Sequence, residues 1–141
     1  MPGIIPSVLA LLVAALSLTA GSAQAGDDPK VDCANAMSTV EMNFCGEKEL
    51  DVADAAMNEI YKKAIAAIPG LASDKPYDAK SWEEALRGSQ RSWVAFRDAE
   101  CKTHLPMFWS GGTGTTAEVL GCMTELTKNR TEQLKNRYEQ N

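Results

Sequence analysis

Two carboxylates near the end of a predicted helix are the first candidates for chemistry in this 141-residue chain. Asp98 and Glu100 both belong to the stretch "QRSWVAFRDAEC" at residues 90–101. A pair of carboxylates can cleave a glycosidic bond, but residues two positions apart on a helix do not face each other, and we expect Asp98 to face solvent. The chain also contains no G-x-S-x-G, H-E-x-x-H or P-loop sequence. We therefore predict no catalytic residues and no enzymatic activity.

Charged residues also lie on the apolar stripes of the predicted helices. At about 100° per residue, Glu100 falls at the same angle as Trp82, and Arg97 falls about 60° away. Arg130 occupies a position in the apolar series of the third predicted helix. Since an isolated buried charge is very costly, these side chains should find partners in one another. We expect a structural network between helices that contains Trp93, Arg97, Glu100 and Arg130.

The four cysteines, Cys33, Cys45, Cys101 and Cys122, form an even set in a small chain. In an exported domain such a set predicts two disulfides, for which three pairings are possible. We prefer Cys33–Cys45 and Cys101–Cys122, because each pair then joins segments at helix ends. The spacing contains no C-x-x-C, and His104 is the single histidine, so we expect no metal and no cofactor.

The first 25 residues differ in composition from the rest of the chain. They contain no charged side chain, run apolar from Ile4 to Leu18 and end in Ala23-Gln24-Ala25. This pattern predicts a signal peptide at 1–25, cleaved after Ala25, and one mature domain at 26–141. The apolar run is shorter than the ~18–20 residues of a membrane span, so we expect no stable anchor after cleavage. The predicted location is periplasmic or secreted.

The charge balance restricts the class of partner. The formal net charge is −5, and every charged side chain lies after residue 25. Nucleic acids and anionic lipids attract basic surfaces, so we expect no nucleic-acid binding. An acidic exported domain is instead attracted to basic proteins.

Three amphipathic stretches predict the fold. The first starts at a capping box, Ser38 with Glu41, and should end near Pro69-Gly70. Ser81, with Glu84, is the predicted cap of the second helix, and Thr116 that of the third. The stripe of the second helix consists of Trp82, Ala85, Leu86, Ser89, Trp93, Phe96 and Glu100. Because such stripes must be buried together, we predict an all-α fold, a small antiparallel bundle of about three helices with two disulfides.

A segment between the second and third helices is the candidate binding element. Residues 101–117, "CKTHLPMFWSGGTGTTA", contain no acid, and Pro106 with three glycines predicts a loop. Aromatic residues on a clamped loop are suited to binding, although such a cluster can equally fold onto the bundle as satellite core. The candidate binding residues are Met107, Phe108, Trp109, Gly111 and Gly112.

Taken together, these motifs resemble the lysozyme inhibitor LprI-like N-terminal domains. The resemblance runs from Cys33 to Leu134, and it implies a helical, disulfide-linked domain. The protein after which the family is named inhibits c-type lysozyme and is a lipoprotein, whereas "KVD" before Cys33 does not form a lipobox. The motifs that carry the resemblance are "EMNFC" at 41–45, "QRSWVAFRDAEC" at 90–101, "GG" at 111–112 and "CMTELTKNRTEQL" at 122–134.

The resulting functional expectation is an exported binding protein that inhibits c-type lysozyme by occluding its cleft. The expected partner is accordingly a basic protein such as c-type lysozyme. The alternative is a non-enzymatic structural or stress-related assembly module of the cell envelope. The first requires an exposed apolar binding element, and the second requires an apolar helix face left uncovered after folding.

Overall fold

A computed structural model of the protein describes residues 30–139, and the predicted signal peptide lies outside them. These residues form helices and no β-strand, which confirms the all-α prediction. None of the helices within 30–139 is both long and apolar enough to cross a membrane. The elements are α1 (Thr39–Leu71), α2 (Ala79–Asp98), a π-helical segment (Ala99–His104), α3 (Leu105–Trp109) and α4 (Thr115–Tyr138).

The two helices α1 and α4 lie parallel to each other. Near their N-terminal ends Gly46 approaches Leu120 so closely that a Cβ on the glycine would lie 3.2 Å from the leucine Cβ. Near their C-terminal ends the Lys63 Nζ lies 3.4 Å from a carboxylate oxygen of Glu139. The pairing therefore extends along most of the length of α4.

Helix α2 runs antiparallel to both. At its start, the Trp82 indole N–H donates to the Tyr138 hydroxyl, at 3.2 Å, near the end of α4. Just beyond its end, Cys101 is bridged to Cys122 near the start of α4. The three long helices thus form the predicted antiparallel bundle.

Both ends of α1 lie where the sequence predicts them. Ser38 and Glu41 form the capping box, and hydrogen bonds from the Ser38 backbone and hydroxyl lower the pKa of the Glu41 carboxyl. The helix ends at Leu71, one residue after the predicted Pro69-Gly70. Pro69 in the last turn has no N–H to donate, but the helix continues past it, and the Ala72 N–H donates to the Ile68 carbonyl at 2.9 Å.

The N-termini of α2 and α4 correct two predicted caps. Asp78, not Ser81, caps α2, and its carboxylate accepts from the Ser81 N–H at 3.1 Å. Glu84 consequently forms no capping box, because Ser81 is already inside the first turn. At α4 the cap position is Gly114, and Thr116 lies inside the helix. Several cap-forming residues stand close together at each start, and spacing alone does not choose between them.

The hydrophobic core occupies one end of the bundle, which we call the core end. It contains the C-terminal part of α1, the start of α2 and the end of α4. The indole of Trp82 and the ring of Tyr138 pack against it from the side. The buried core residues are Ile60, Ala64, Ile68, Leu86 and Leu134.

The opposite end carries both disulfides, and we call it the disulfide end. Cys33 pairs with Cys45 and Cys101 with Cys122, each with Cα atoms 5.6 Å apart, which confirms the predicted pairing. Cys101 is completely buried. Several large apolar side chains are nevertheless exposed near this end, so covalent bonds provide order where the apolar core does not. These side chains are Met37, Val40, Met42, Met107 and Phe108.

Candidate binding site at the disulfide end

The predicted loop after α2 is mostly helical, which corrects the sequence interpretation. The backbone stays helical from Ala79 to Trp109, and the non-helical part is the short turn Ser110–Gly114. Within the π-helical segment the hydrogen bonds span five residues, so the Leu105 N–H donates to the Glu100 carbonyl. Pro106 is the second residue of α3, and because it has no N–H it donates no hydrogen bond to the π-helical segment before it.

The turn after α3 requires its glycines for conformational reasons. Ser110 and Gly111 both have positive φ, 48° and 72°, in the left-handed region. The Gly112 N–H donates to the Trp109 carbonyl at 2.9 Å, and a Cβ on Gly112 would lie 3.3 Å from that oxygen. Gly111 and Gly112 thus shape the turn, and their contact with a partner stays a prediction.

The three apolar residues of α3 differ in their surroundings. Met107 and Phe108 are 71% and 74% exposed. Trp109 is 42% exposed, because its indole lies against the turn. A Cβ on Gly114 would lie 3.0 Å from the Trp109 ring. Trp109 therefore supports the turn as satellite core would, while Met107 and Phe108 project into solvent as a binding element would.

Glu100 does not join the network in which the sequence analysis placed it. Its carboxylate lies 3.3 Å from the His104 Nδ1, on the outer face of the π-helical segment. The His104 ring in turn meets the Phe108 ring edge-on, with 5.2 Å between centroids. The apolar pattern of the sequence placed Phe96 and Glu100 on the inner face of the second helix, whereas both side chains lie on its outer side. The inner face instead follows Leu86, Gln90, Trp93, Arg97 and Cys101, and so includes two polar residues.

Arg97, 8% exposed, finds its acidic partner on α1. The Nη1 of Arg97 lies 2.7 Å from an Asp54 oxygen and 2.8 Å from the Thr127 hydroxyl. Its Nε lies 3.4 Å from Asp98, which also accepts from Lys102 at 2.9 Å. The bond from Lys102, assisted by Arg97, lowers the pKa of Asp98, so this residue is ion-paired and not simply solvated.

Arg130 is buried among neutral oxygens. Its Nε donates to Gln90 at 3.0 Å and its Nη2 to the Ser89 hydroxyl at 3.2 Å, while its Nη1 donates to Gln133. Burial, together with a nearby Arg137, lowers the pKa of the Arg130 guanidinium. Three of the five guanidinium N–H groups are thus hydrogen-bonded to neutral oxygens.

Trp93 links the two arginines into one layer between the core end and the disulfide end. The guanidinium carbons of Arg97 and Arg130 lie 5.2 and 6.0 Å from its ring centroid. The structure thus brings together Trp93, Arg97 and Arg130, and adds Asp54 and Thr127. The sequence signal for Asp54 is an acidic residue next to the buried positions of α1. Its pairing with Arg97 depends on how the helices pack, so the sequence does not predict it.

Within residues 30–139, no three His, Cys, Asp or Glu side chains are grouped to hold a metal ion. All four cysteines are in disulfides, so none supplies a free thiol. Asp98 and Glu100 each contact a basic side chain on their own helix.

Comparison with known proteins assigns the family. The family model described as "Lysozyme inhibitor LprI" matches residues 32–134. The chain belongs to the LprI lysozyme inhibitor family. It is 37% identical over 117 residues to an uncharacterized protein of Rhizobium meliloti (strain 1021), with 79% of this chain and 81% of the relative covered. Its disulfides and its LprI membership support an extracellular or periplasmic location.

A second LprI relative is more distant. The chain is 33% identical over 96 residues to the uncharacterized protein YecT of Escherichia coli (strain K12), with 64% of this chain and 58% of that protein covered. No solved structure matches the chain. The family model takes its name from lysozyme inhibition, and both relatives are described as uncharacterized.

Proposed function

We propose that this protein is an exported inhibitor of c-type lysozyme that occludes the enzyme's cleft with α3 and the following turn. One observation carries the proposal: Met107 and Phe108 are exposed on a short helix that directly follows the π-helical segment, which the Cys101–Cys122 disulfide joins to α4. Apolar side chains held on a rigid support lose little conformational freedom when they bind, which favours affinity.

The distribution of charge supports a complex in which α3 and the following turn enter the cleft of the enzyme. A c-type lysozyme cleaves glycosidic bonds with two carboxylates in its cleft, so an acidic segment facing them would be repelled. Residues 101–117 contain no acid, although the chain as a whole has a net charge of −5. The acidic body is then attracted to the basic enzyme, while the part that enters the cleft avoids like-charge contact.

The side chains of α3 have separate tasks in this proposal. The Phe108 ring occupies a subsite that otherwise holds a sugar ring, and the flexible Met107 side chain adapts to the neighbouring surface. Trp109 fixes the turn from behind and adds its exposed edge to the contact. The backbone of Gly111 and Gly112, which has no side chain, approaches the enzyme closely.

Lysis of a peptidoglycan suspension by c-type lysozyme tests the proposal. We expect micromolar wild-type protein to slow lysis at low salt, and the effect to weaken as salt screens the attraction. Phe108→Ala and Trp109→Ala should each raise the inhibition constant at least tenfold, about 1.4 kcal/mol. Tyr77→Ala is the control, because Tyr77 is an exposed aromatic residue at the core end.

Different results reject different parts of the proposal. Unchanged lysis with micromolar wild-type protein at low salt rejects the inhibitor function. Inhibition that is equally strong in wild type, Phe108→Ala and Trp109→Ala retains the function but rejects α3 as the inhibitory element.

An assembly module of the cell envelope is the second candidate. The exposed apolar side chains of Met37, Val40 and Val52, in the N-terminal arm and on α1, are the observation that favours it. This candidate predicts concentration-dependent oligomers in sedimentation experiments and no effect on lysis. A monomeric inhibitor would exclude it.

A further inference from the structure

A stripe of exposed side chains follows the outer face of the helix that leads into α3. We call it the outer stripe, and it consists of Phe96, Glu100, His104 and Phe108, each four residues after the last. Phe96 is 55% exposed and Phe108 is 74% exposed, so the stripe has an exposed aromatic residue at each end. The inner face of the same helix is buried at Arg97 and Cys101, whereas Glu100 in the stripe is partly buried and the other members of the stripe are exposed.

Contacts link three of the four members of the stripe, Glu100, His104 and Phe108, and Phe96 extends it by helical spacing. His104 touches Glu100 through Nδ1 on one side and the Phe108 ring on the other. In a regular α-helix, side chains four residues apart drift about 40° around the axis at each step. The wider π-helical turn, Ala99–His104, opposes this drift and keeps the stripe on one face. Such π-helical turns are frequent at functional sites.

The dimensions of the stripe fit an elongated groove. Phe96 and Phe108 are twelve residues apart, which corresponds to about 18 Å along a helix axis. An enzyme that cleaves within a polysaccharide binds several sugar rings in a row, and its groove is correspondingly long. Helices that present apolar anchors at regular spacing are known to bind in elongated grooves of other proteins.

We propose that the outer stripe lies along the substrate groove of the bound lysozyme, so that the inhibitor is recognised by a helix face and not by its tip alone. This inference rests on the proposed function. The Phe108 end enters the catalytic centre because the chain there is free of acids. The end of the stripe that contains Phe96 and Glu100 lies towards the rim of the groove. There the acidic side chain of Glu100 meets the basic enzyme surface favourably. Phe96 is then a second anchor, outside the α3 segment.

Calorimetric titration of c-type lysozyme with the disulfide-bonded protein tests the inference. We expect Phe96→Ala to raise the dissociation constant at least tenfold and Phe96→Leu to raise it much less, because leucine keeps most of the apolar volume. Val94→Ala is the matched control, since Val94 is an apolar residue at the surface of the same helix, two positions away. Circular dichroism of each variant checks that the helices are retained, as expected for changes on an exposed face.

The outcomes separate this inference from the proposed function. Weaker binding by Phe96→Ala, with Val94→Ala equal to wild type, supports the stripe. Wild-type affinity in Phe96→Ala, with weakened Phe108→Ala, overturns the stripe and leaves inhibition by α3 in place. Equal weakening by Phe96→Ala and Val94→Ala also overturns it, because the effect is then not specific to one face. Absence of binding by wild type rejects the proposed function and the stripe with it.

Discussion

Two buried arginines in the middle of the bundle are satisfied in different ways. Arg97 has an acidic partner, Asp54, and a buried hydroxyl, that of Thr127. Arg130 instead donates to neutral oxygens and lies beside the Trp93 ring. Removing Arg97 leaves the charge of Asp54, whose side chain is 37% exposed, without its partner, whereas Arg130 has no such acidic partner to leave behind, so the two sites should respond differently to substitution.

Substitutions at Arg97 measure its contribution to stability. We expect Arg97→Ala to lower the free energy of unfolding by about 3 kcal/mol, since it removes an ion pair and leaves a cavity. Arg97→Met should cost less, because methionine fills the volume of the arginine stem. Arg87→Ala is the control, as the Arg87–Glu83 pair lies on the surface and should contribute little to stability. Urea unfolding curves that coincide for wild type and Arg97→Ala would contradict this account.

At the scale of the elements, the close packing of α1 on α4 depends on a small residue. Gly46 leaves room for the Leu120 side chain where the two helices approach. Gly121, the next residue on α4, has no such neighbour, since a Cβ there would meet no atom within 4 Å. The two glycines therefore offer a matched pair for separating packing from helix propensity.

Alanine at each position should have opposite consequences. Gly121→Ala is expected to raise the free energy of unfolding by about 0.5–1 kcal/mol, because glycine weakens a helix relative to alanine. Gly46→Ala gains the same propensity but must displace Leu120, so we expect it to be less stable than Gly121→Ala and no more stable than wild type. Thermal and urea unfolding give both values. Equal stabilisation by the two substitutions would show that the helices are not closely packed at Gly46.

The sequence predicts the elements whose signals are local and misplaces those that depend on packing. Three helices follow from apolar spacing, and the cysteine pairing follows from helix ends. The predictions that Ser81 and Thr116 cap their helices are wrong, because neighbouring residues compete for the cap position. The outer position of Phe96 is also beyond sequence reasoning, since Gln90 and Arg97 occupy the inner face through partners on α1 and α4. Pro106 and the glycines predict a loop, whereas the backbone remains helical up to Trp109.

For the molecule as a whole, the two ends of the bundle have different tasks. The core end buries the large apolar residues and supplies most of the hydrophobic stabilisation. The disulfide end leaves Met107 and Phe108 in solvent and is ordered by covalent bonds. A binding surface requires exposed apolar groups, which cannot stabilise the fold at the same time. The disulfides allow this end to keep its shape without burying them.

Competition for the lysozyme cleft tests the central claim most directly. The dissociation constant between c-type lysozyme and the disulfide-bonded protein is measured at increasing concentrations of a soluble N-acetylglucosamine oligosaccharide that occupies the substrate groove. If α3 occludes the cleft, the apparent dissociation constant should rise in proportion to the saccharide concentration once the groove is mostly occupied. A dissociation constant that does not change when the groove is saturated with saccharide would show that the protein binds elsewhere, and would contradict the account.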